Sequence, residues 1–290
     1  LNPPEHLGDA AYVGPTPPVS VVVLTLNEAV NIEACLRSCA WCDDVHVVDS
    51  GSRDPTVRLA EAAGATVHHH PFTSFGQQRN WIIDHVPSKH AWQFHLDADE
   101  RFTAPLVREM AARLGETTTP AAAAFRVPSA LVFRGRWLKH SGMYPVYQVR
   151  LLHRQRCRFV DVGHGQREQT DGAIETLHEP YLHLNFSHGV DAWHDKHRRY
   201  ARHEARENFA QRRDMLDLPG LLSADATRRR RALKALSMRM PCRPALRFAY
   251  MYVLRLGFLD GRPGFEYCRM IAWYERQIVR ELRKRRRETH

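Results

Sequence analysis

The sequence predicts an α/β protein, with a doubly wound and mostly parallel sheet followed by a helical C-terminal extension. Three observations predict it. Short β-branched apolar runs alternate with helical stretches over residues 19–96. The links between them are short. Polar residues collect just after the strands, where open α/β sheets bind ligands.

The leader, residues 1–18, is Pro-rich and lacks the basic, apolar and small-residue succession of a signal peptide. Val19 to Leu24 reads VSVVVL, the near-continuous apolar run of a strand buried on both faces. Asn27 to Cys39 has helical character, with Asn31 as its cap. Asp44 to Val48 forms a second strand that ends in the turn Asp49-Ser50-Gly51-Ser52. Asp54 to Ala63 is helical and stops at Gly64, a helix C-terminal signal. A third strand covers Ala65 to His69, a third helix Phe75 to Val86, and a fourth strand Ala91 to Leu96. Another helix follows over residues 103–114. Phe125 to Arg136 and Tyr144 to His153 are strands around a Gly-rich turn, and residues 159–183 are mixed and polar. The pattern is helical from Gly189 through Arg213 and again over the basic stretch 226–240. Two apolar-aromatic helices, Pro244 to Leu259 and Gly264 to Leu282, close the chain. The expected organisation is a leader (1–18), an α/β domain (19–188) and a basic helical region (189–290).

Of the 290 residues, 43% are apolar and 26% charged, a globular balance. The formal net charge of +10 favours anionic partners: nucleotides, phospholipid head groups or nucleic acid. Arginine crowds the second half at Arg198-Arg199, Arg212-Arg213, Arg228 to Arg231 and Arg283 to Arg287. No nucleic-acid-binding motif accompanies this charge, and an acidic rim would repel a phosphate backbone, so nucleic acid is not an expected partner. The six Cys show no ligand spacing. Cys35 and Cys39 fall on one helical face as small hydrophobes, and the whole set suits a reducing cytoplasm. His183, His188, His194 and His197 lack a metal signature of the HExxH type, so no histidine metal site is expected.

The chemistry concentrates at strand ends. Thr25, Asn27 and Glu28 follow the first strand, Asp49 and Ser50 the second, and Asp97 and Asp99 the fourth. Three acidic sites are thereby expected to converge on one rim. In His95-Leu96-Asp97-Ala98-Asp99-Glu100, strand alternation would turn Asp97 and Asp99 to one side and Ala98 inward. Such carboxylates suit a hard Mg²⁺ or Mn²⁺ ion, with a diphosphate supplying further oxygens. Asp49 can accept the imide N–H of a uracil ring. Arg79, in Gln77-Gln78-Arg79-Asn80, offers a fork of donors to a base or phosphate.

Taken in order, VSVVVLTLNE, VVDSGSRDPT, QQRN and HLDADE resemble the family 2 glycosyltransferases, inverting enzymes of the Rossmann-like GT-A fold. Within that family the chain looks most like the lipopolysaccharide core and exopolysaccharide glycosyltransferases. Leu256-Gly257-Phe258-Leu259-Asp260-Gly261 with Gly264-Phe265 adds to the likeness, as does Trp193-His194-Asp195-Lys196-His197 with Tyr200, Ala201, Glu204 and Ala205. The resemblance runs from Val19 to Leu282. It implies a nucleotide-sugar donor, a UDP-sugar with GDP- and TDP-sugars left open, and a saccharide or lipid-linked acceptor. It also implies nucleoside contacts from Thr25, Asn27, Glu28, Asp49 and Ser50. Asp97 would reach the ribose or the metal, and Asp99 would hold the metal. Related sequences carry Val-His-Glu where this chain has Val162-Gly163-His164-Gly165-Gln166-Arg167-Glu168. Gly165 stands where the Glu would, which leaves Glu168, His164 or Asp161 as general base.

No run of 18 apolar residues is present, so no spanning helix is expected. Arg247 and Arg255 interrupt the aromatic stretch, and basic helices with aromatic faces lie in a membrane interface. The tail Arg283 to Arg287 adds about 1 kcal/mol per basic residue near an anionic surface. The expectation is a cytoplasmic enzyme held peripherally on the inner membrane face. A sugar nucleotidyltransferase, the competing enzyme class, should carry a Gly-rich basic loop after the first strand. The acidic Thr25-Leu26-Asn27-Glu28 stands there instead.

Overall fold

The structure is a computed structural model that describes residues 12–115, 122–162, 165–211 and 242–288, with residues 217, 219–226, 228–229 and 232 between the last two. The chain divides into two compact units, Leu1–Trp137 with Tyr144–Ser187, and Leu138–Met143 with His188–His290.

The first unit opens with β1 (Val19–Thr25), α1 (Ile32–Ser38), β2 (Val45–Asp49), α2 (Thr56–Ala62), β3 (Thr66–His69), α3 (Phe75–His85) and β4 (Trp92–Asp97). There follow β5 (Glu100–Arg101), α4 (Ala104–Gly115), β6 (Ala122–Phe133), β7 (Arg136–Trp137) and β8 (Val146–His153). The unit closes with β9 (Cys157–Val162), β10 (Gly165–Thr170), β11 (Ala173–Thr176) and β12 (Tyr181–His183). The main sheet has the order β3-β2-β1-β4-β8-β6-β12-β5, with β11 and β7 also paired to β6, while β9 and β10 form a separate ribbon. Strands β3, β2, β1 and β4 are all parallel. Beyond β4 the sheet is mixed: β8 is antiparallel to both its neighbours, and β12 is parallel to β6.

The VSVVVL run is continuous because β1 lies between two strands with both faces covered. Val19, Val21 and Val23 pack in one core with α1 and α4 residues such as Ile32 and Leu106. Val22 turns to the other face, against Ile82 and Val86. Gly64 ends α2 at φ +84, as its sequence position predicts. The strand expected to run to Arg136 ends at Phe133, where Arg134 (φ 50) and Gly135 (φ 74) make a two-residue hairpin link from β6 to β7.

Two local expectations are corrected. The first helix begins at Ile32 rather than Asn27, because Asn27 takes a left-handed φ of 57 and bends the chain. Asn31 makes no side-chain cap there. Its amide instead donates to Glu28 Oε2 and Ser187 Oγ, both at 2.6 Å, and accepts from the buried Arg101.

The second unit holds α5 (Gly189–Gln211), α6 (Arg243–Ala249) and α7 (Gly261–Glu288). Ala201 and Ala205 of α5 pack on Ile278 and Leu282 of α7. The single helix expected over Pro244 to Leu259 is broken. It ends at Ala249, continues as a π-turn (Tyr250–Leu254), reverses at Leu256 (φ 59) and closes in a 3₁₀ turn (Gly257–Asp260). The break has a packing cause. Buried Asp260 accepts from Ser141 N at 2.7 Å, Ser141 Oγ at 2.6 Å and His140 N at 3.1 Å. A Cβ on Gly257 would lie 2.6 Å from the Met251 carbonyl oxygen, so only glycine fits there. The basic stretch expected as a helix over 226–240 lies mostly outside the described residues.

Candidate functional site

Strand register brings the polar strand ends to one edge. Thr25 stands opposite Asp49, Leu24 opposite Asp97, and Asp49 opposite His69. Asp49 and Asp97 are two strands apart, about 9–10 Å at ordinary strand spacing. They share the edge but not the face. Val47 places Asp49 on the side of α1, while Leu96 packs on that side and turns Asp97 to the other. Among the described residues no three His, Cys, Asp or Glu side chains gather into a metal-holding group. The acidic positions thus share one rim and form two separate carboxylate groupings on it.

The first grouping joins the loops after β1 and β2. The buried Asp49 carboxylate accepts from the Gly51 and Ser52 amides, both at 2.9 Å, and from Ser52 Oγ. His69 Nδ1 lies 3.8 Å from it. Asn27 N donates to Ser52 Oγ at 2.8 Å, and Asn27 Oδ1 accepts from Arg53 N at 2.8 Å. Glu28 N donates to Thr56 Oγ1 at 2.8 Å. Ser50 Oγ accepts from Gln78 Nε2 at 3.2 Å. These bonds fix the corner in which Thr25 Oγ1 lies buried with no hydrogen-bond partner among the described residues.

The second grouping surrounds Asp97 and Asp99. Strand β4 ends at Asp97, and Ala98 and Asp99 form a turn, so strand alternation does not align the two carboxylates as expected. Instead each has its own partner. Arg150 Nη2 donates to Asp97 Oδ2 at 2.8 Å and to Glu100 Oε1 at 2.5 Å. Glu100 Oε2 accepts from Asp97 N at 3.0 Å. His183 Nε2 lies 3.4 Å from Asp99 Oδ2, and Leu184 N donates to the Asp99 carbonyl at 2.8 Å. Arg150 and Glu100 are buried, while the Asp97 carboxylate keeps 43% of its exposure and faces solvent.

Charge follows from this arrangement. Burial alone would raise Asp97, but Arg150 and Arg79 outweigh it and hold the carboxyl below its ordinary range. Burial would lower His183, but the Asp99 carboxylate outweighs it and raises the imidazole. Burial and then nearby Arg150 bring Arg79 down to about 10. Burial, with both guanidinium groups adding to it, drives His95 well below its ordinary value.

Arg79 stands beside this cluster. Its Nε donates to Gln166 Oε1 at 3.2 Å, its guanidinium lies 5.7 Å from the Phe159 ring, and its buried Nη1 has no hydrogen-bond partner among the described residues. Two neighbouring guanidinium groups with spare donors suit an anion better than a neutral group.

The candidate bases sit on the β9–β10 ribbon. Asp161 serves the N-terminus of α3: its Oδ1 accepts from Gly76 N at 2.9 Å and its Oδ2 from Ser74 Oγ at 2.6 Å. A Cβ on Gly76 would lie 2.8 Å from Asp161 Oδ1, so this approach needs glycine. Glu168 stands opposite Phe159, two residues beyond Gln166. His164 lies outside the described residues.

Sequence reasoning missed Arg150 and the Glu100 carboxylate, and set His183 aside. A usable signal was present for two of them. Arg150 and His183 are polar residues inside the apolar runs VRLL and YLHL.

Residues 20–168, just over half of the chain, match the family model described as Glycosyl transferase family 2. Over 96 residues the chain is 35% identical to an uncharacterized glycosyltransferase of Rickettsia bellii, covering 33% of this chain and 32% of that one. Over 97 residues it is 30% identical to a lipopolysaccharide core biosynthesis glycosyltransferase of Rhizobium meliloti, covering 32% and 35%. The matches thus span about a third of these relatives' length. Among solved structures, glucosyl-3-phosphoglycerate synthase of Mycobacterium tuberculosis, in complex with Mg²⁺ and uridine diphosphate, is 20% identical with a TM-score of 0.37. That match covers 48% of this chain and 57% of that one.

Proposed function

The chain belongs to glycosyl transferase family 2, and on that premise we propose that it moves a sugar from a UDP-sugar to a saccharide or lipid-linked acceptor, with inversion, in cell-surface polysaccharide or lipopolysaccharide synthesis. The observation that carries the proposal is the turn after β4, where the Asp97 carboxylate is pinned by Arg150 and Asp99 faces His183.

A hard divalent cation fits this donor set. Such ions use one or two carboxylates and take their remaining oxygens from a diphosphate and water. Asp99 and Asp97 would hold Mg²⁺ or Mn²⁺. When bound, the ion offsets charge on the leaving nucleoside diphosphate. The chain's own residues do the rest. Arg150 fixes the Asp97 carboxylate from the buried side, and His183 does the same for Asp99. Arg79 offers its spare Nη1 to phosphate oxygen. Thr25, Asn27, Glu28, Asp49 and Ser50 form the nucleoside corner, where Asp49 keeps acceptor capacity for the uracil imide beyond its turn contacts.

In the transfer, the acceptor hydroxyl oxygen attacks the anomeric carbon as the bond to diphosphate breaks, and a base takes the hydroxyl proton. We assign that role to Glu168, with His164 as the alternative. Asp161 positions α3. A cytoplasmic enzyme drawn to the inner membrane face by its basic tail would meet a lipid-linked acceptor there.

The test is turnover of UDP-sugars by purified protein with Mn²⁺. Asp99→Ala should abolish both transfer and donor hydrolysis. Unchanged turnover in that variant would remove the proposed site.

A further inference from the structure

We propose that the segment from Leu246 to Phe265 is a docking ridge that seats apolar side chains in the interface of an anionic lipid bilayer. Val253, Leu254, Leu256, Phe258 and Leu259 are exposed by 45% to 73%, all within seven residues of chain. So dense a run of exposed large apolar side chains marks an interaction surface.

The ridge is a built feature. The segment already has an inward face, with Met251, Gly257 and Asp260 buried. The π-turn, the left-handed Leu256 and the 3₁₀ turn direct the remaining side chains outward as a short tip. A left-handed leucine is strained by roughly 1 kcal/mol or more, and the Asp260 bonds to His140 and Ser141 hold the loop that contains it.

Charge selects the occupant. The only acid between residues 246 and 265 is Asp260, which is 3% exposed and turned toward Ser141. Arg247 and Arg255 lie along the same segment, Arg262 is paired with Glu266 at 3.0 Å, and Arg269 is exposed just beyond it. Farther along α7, Arg276, Arg280, Arg283 and Lys284 are exposed as well. A second copy of this surface would bring an excess of arginine over acid to the seam, because a two-fold interface pairs a patch with itself. An anionic bilayer offers apolar depth and opposite charge together. No described helix is long and apolar enough to cross a membrane, so the ridge lies in the interface.

This deepens the proposed function and rests on its reading that the enzyme works at a lipid surface. The test is flotation of the full chain with vesicles of phosphatidylcholine, alone or mixed with phosphatidylglycerol. Wild type should float with the mixed vesicles. Replacing both Val253 and Leu254 with serine should lower that partitioning about tenfold or more, with melting temperature and turnover on a soluble acceptor unchanged. Leu222→Ser, at a highly exposed leucine outside the ridge, should float like wild type. Leu254→Trp should shift its emission to the blue only with anionic vesicles. The proposal is overturned if the double serine variant floats like wild type, or if it instead converts a dimer to a monomer in sedimentation. Flotation without any sugar transfer by wild type would support the ridge and count against the glycosyltransferase reading, so the two fail separately.

Discussion

Arg150 donates to Asp97 across 2.8 Å, from an antiparallel strand to the end of a parallel one. The carboxylate that ends β4 is thus aimed by the half of the sheet that departs from the doubly wound pattern. The same guanidinium nitrogen also holds Glu100, whose carboxylate accepts the Asp97 amide. One buried cation therefore sets both the direction of Asp97 and the turn that presents Asp99.

Arg150→Met should destabilise the first unit by about 3–5 kcal/mol, because it leaves buried Glu100 without its counter-charge. Arg150→Lys should recover only part of this, since one ammonium does not reproduce the planar fork. Urea denaturation measures both. A Met variant as stable as wild type would show that the pair does not carry the turn.

Asp161 and Glu168 should separate cleanly. Asp161→Ala removes the acceptor for Gly76 N and Ser74 Oγ and should cost about 1 kcal/mol in stability, the usual worth of a helix cap, while most transfer activity remains. Glu168→Gln should leave stability near wild type and reduce kcat by 10²-fold or more, the range for a lost general base. Stopped transfer in the Asp161 variant, with full activity in the Glu168 variant, would reverse the assignment.

His197 gives the second unit an acid sensitivity. It stacks on Trp193 at 3.6 Å, and burial lowers it from 6.5 to about 4. The folded form therefore binds fewer protons than the unfolded form between those values. Stability from this group is complete above about pH 6.5 and falls as pH drops toward 4. His197→Phe should remove that part of the acid transition, followed by tryptophan fluorescence. An identical acid profile in the variant would contradict the account.

The parallel half of the fold was legible because its central strands are short, largely apolar runs followed by turn signals. Val19 to Leu24 and Gly64 are the clearest cases. The strand ends were legible for the same reason, since Asp49 and Asp97 follow apolar runs directly. Their relation across the sheet was not, because register decides which face each side chain takes. Arg150 and His183 come from strands far along the chain, so their partnership with Asp97 and Asp99 depends on tertiary pairing. The helix break at Leu256 escaped notice because local apolar pattern cannot reveal that Asp260 would be drawn toward Ser141.

The most direct measurement is calorimetric titration of UDP into wild type and Asp99→Asn, with Mn²⁺ and with chelator. Wild type should bind UDP at least about tenfold more tightly with the ion, a difference of 1.4 kcal/mol, and Asp99→Asn should lose that gain. Equal affinity for UDP in all four conditions would contradict a metal and diphosphate site at the end of β4.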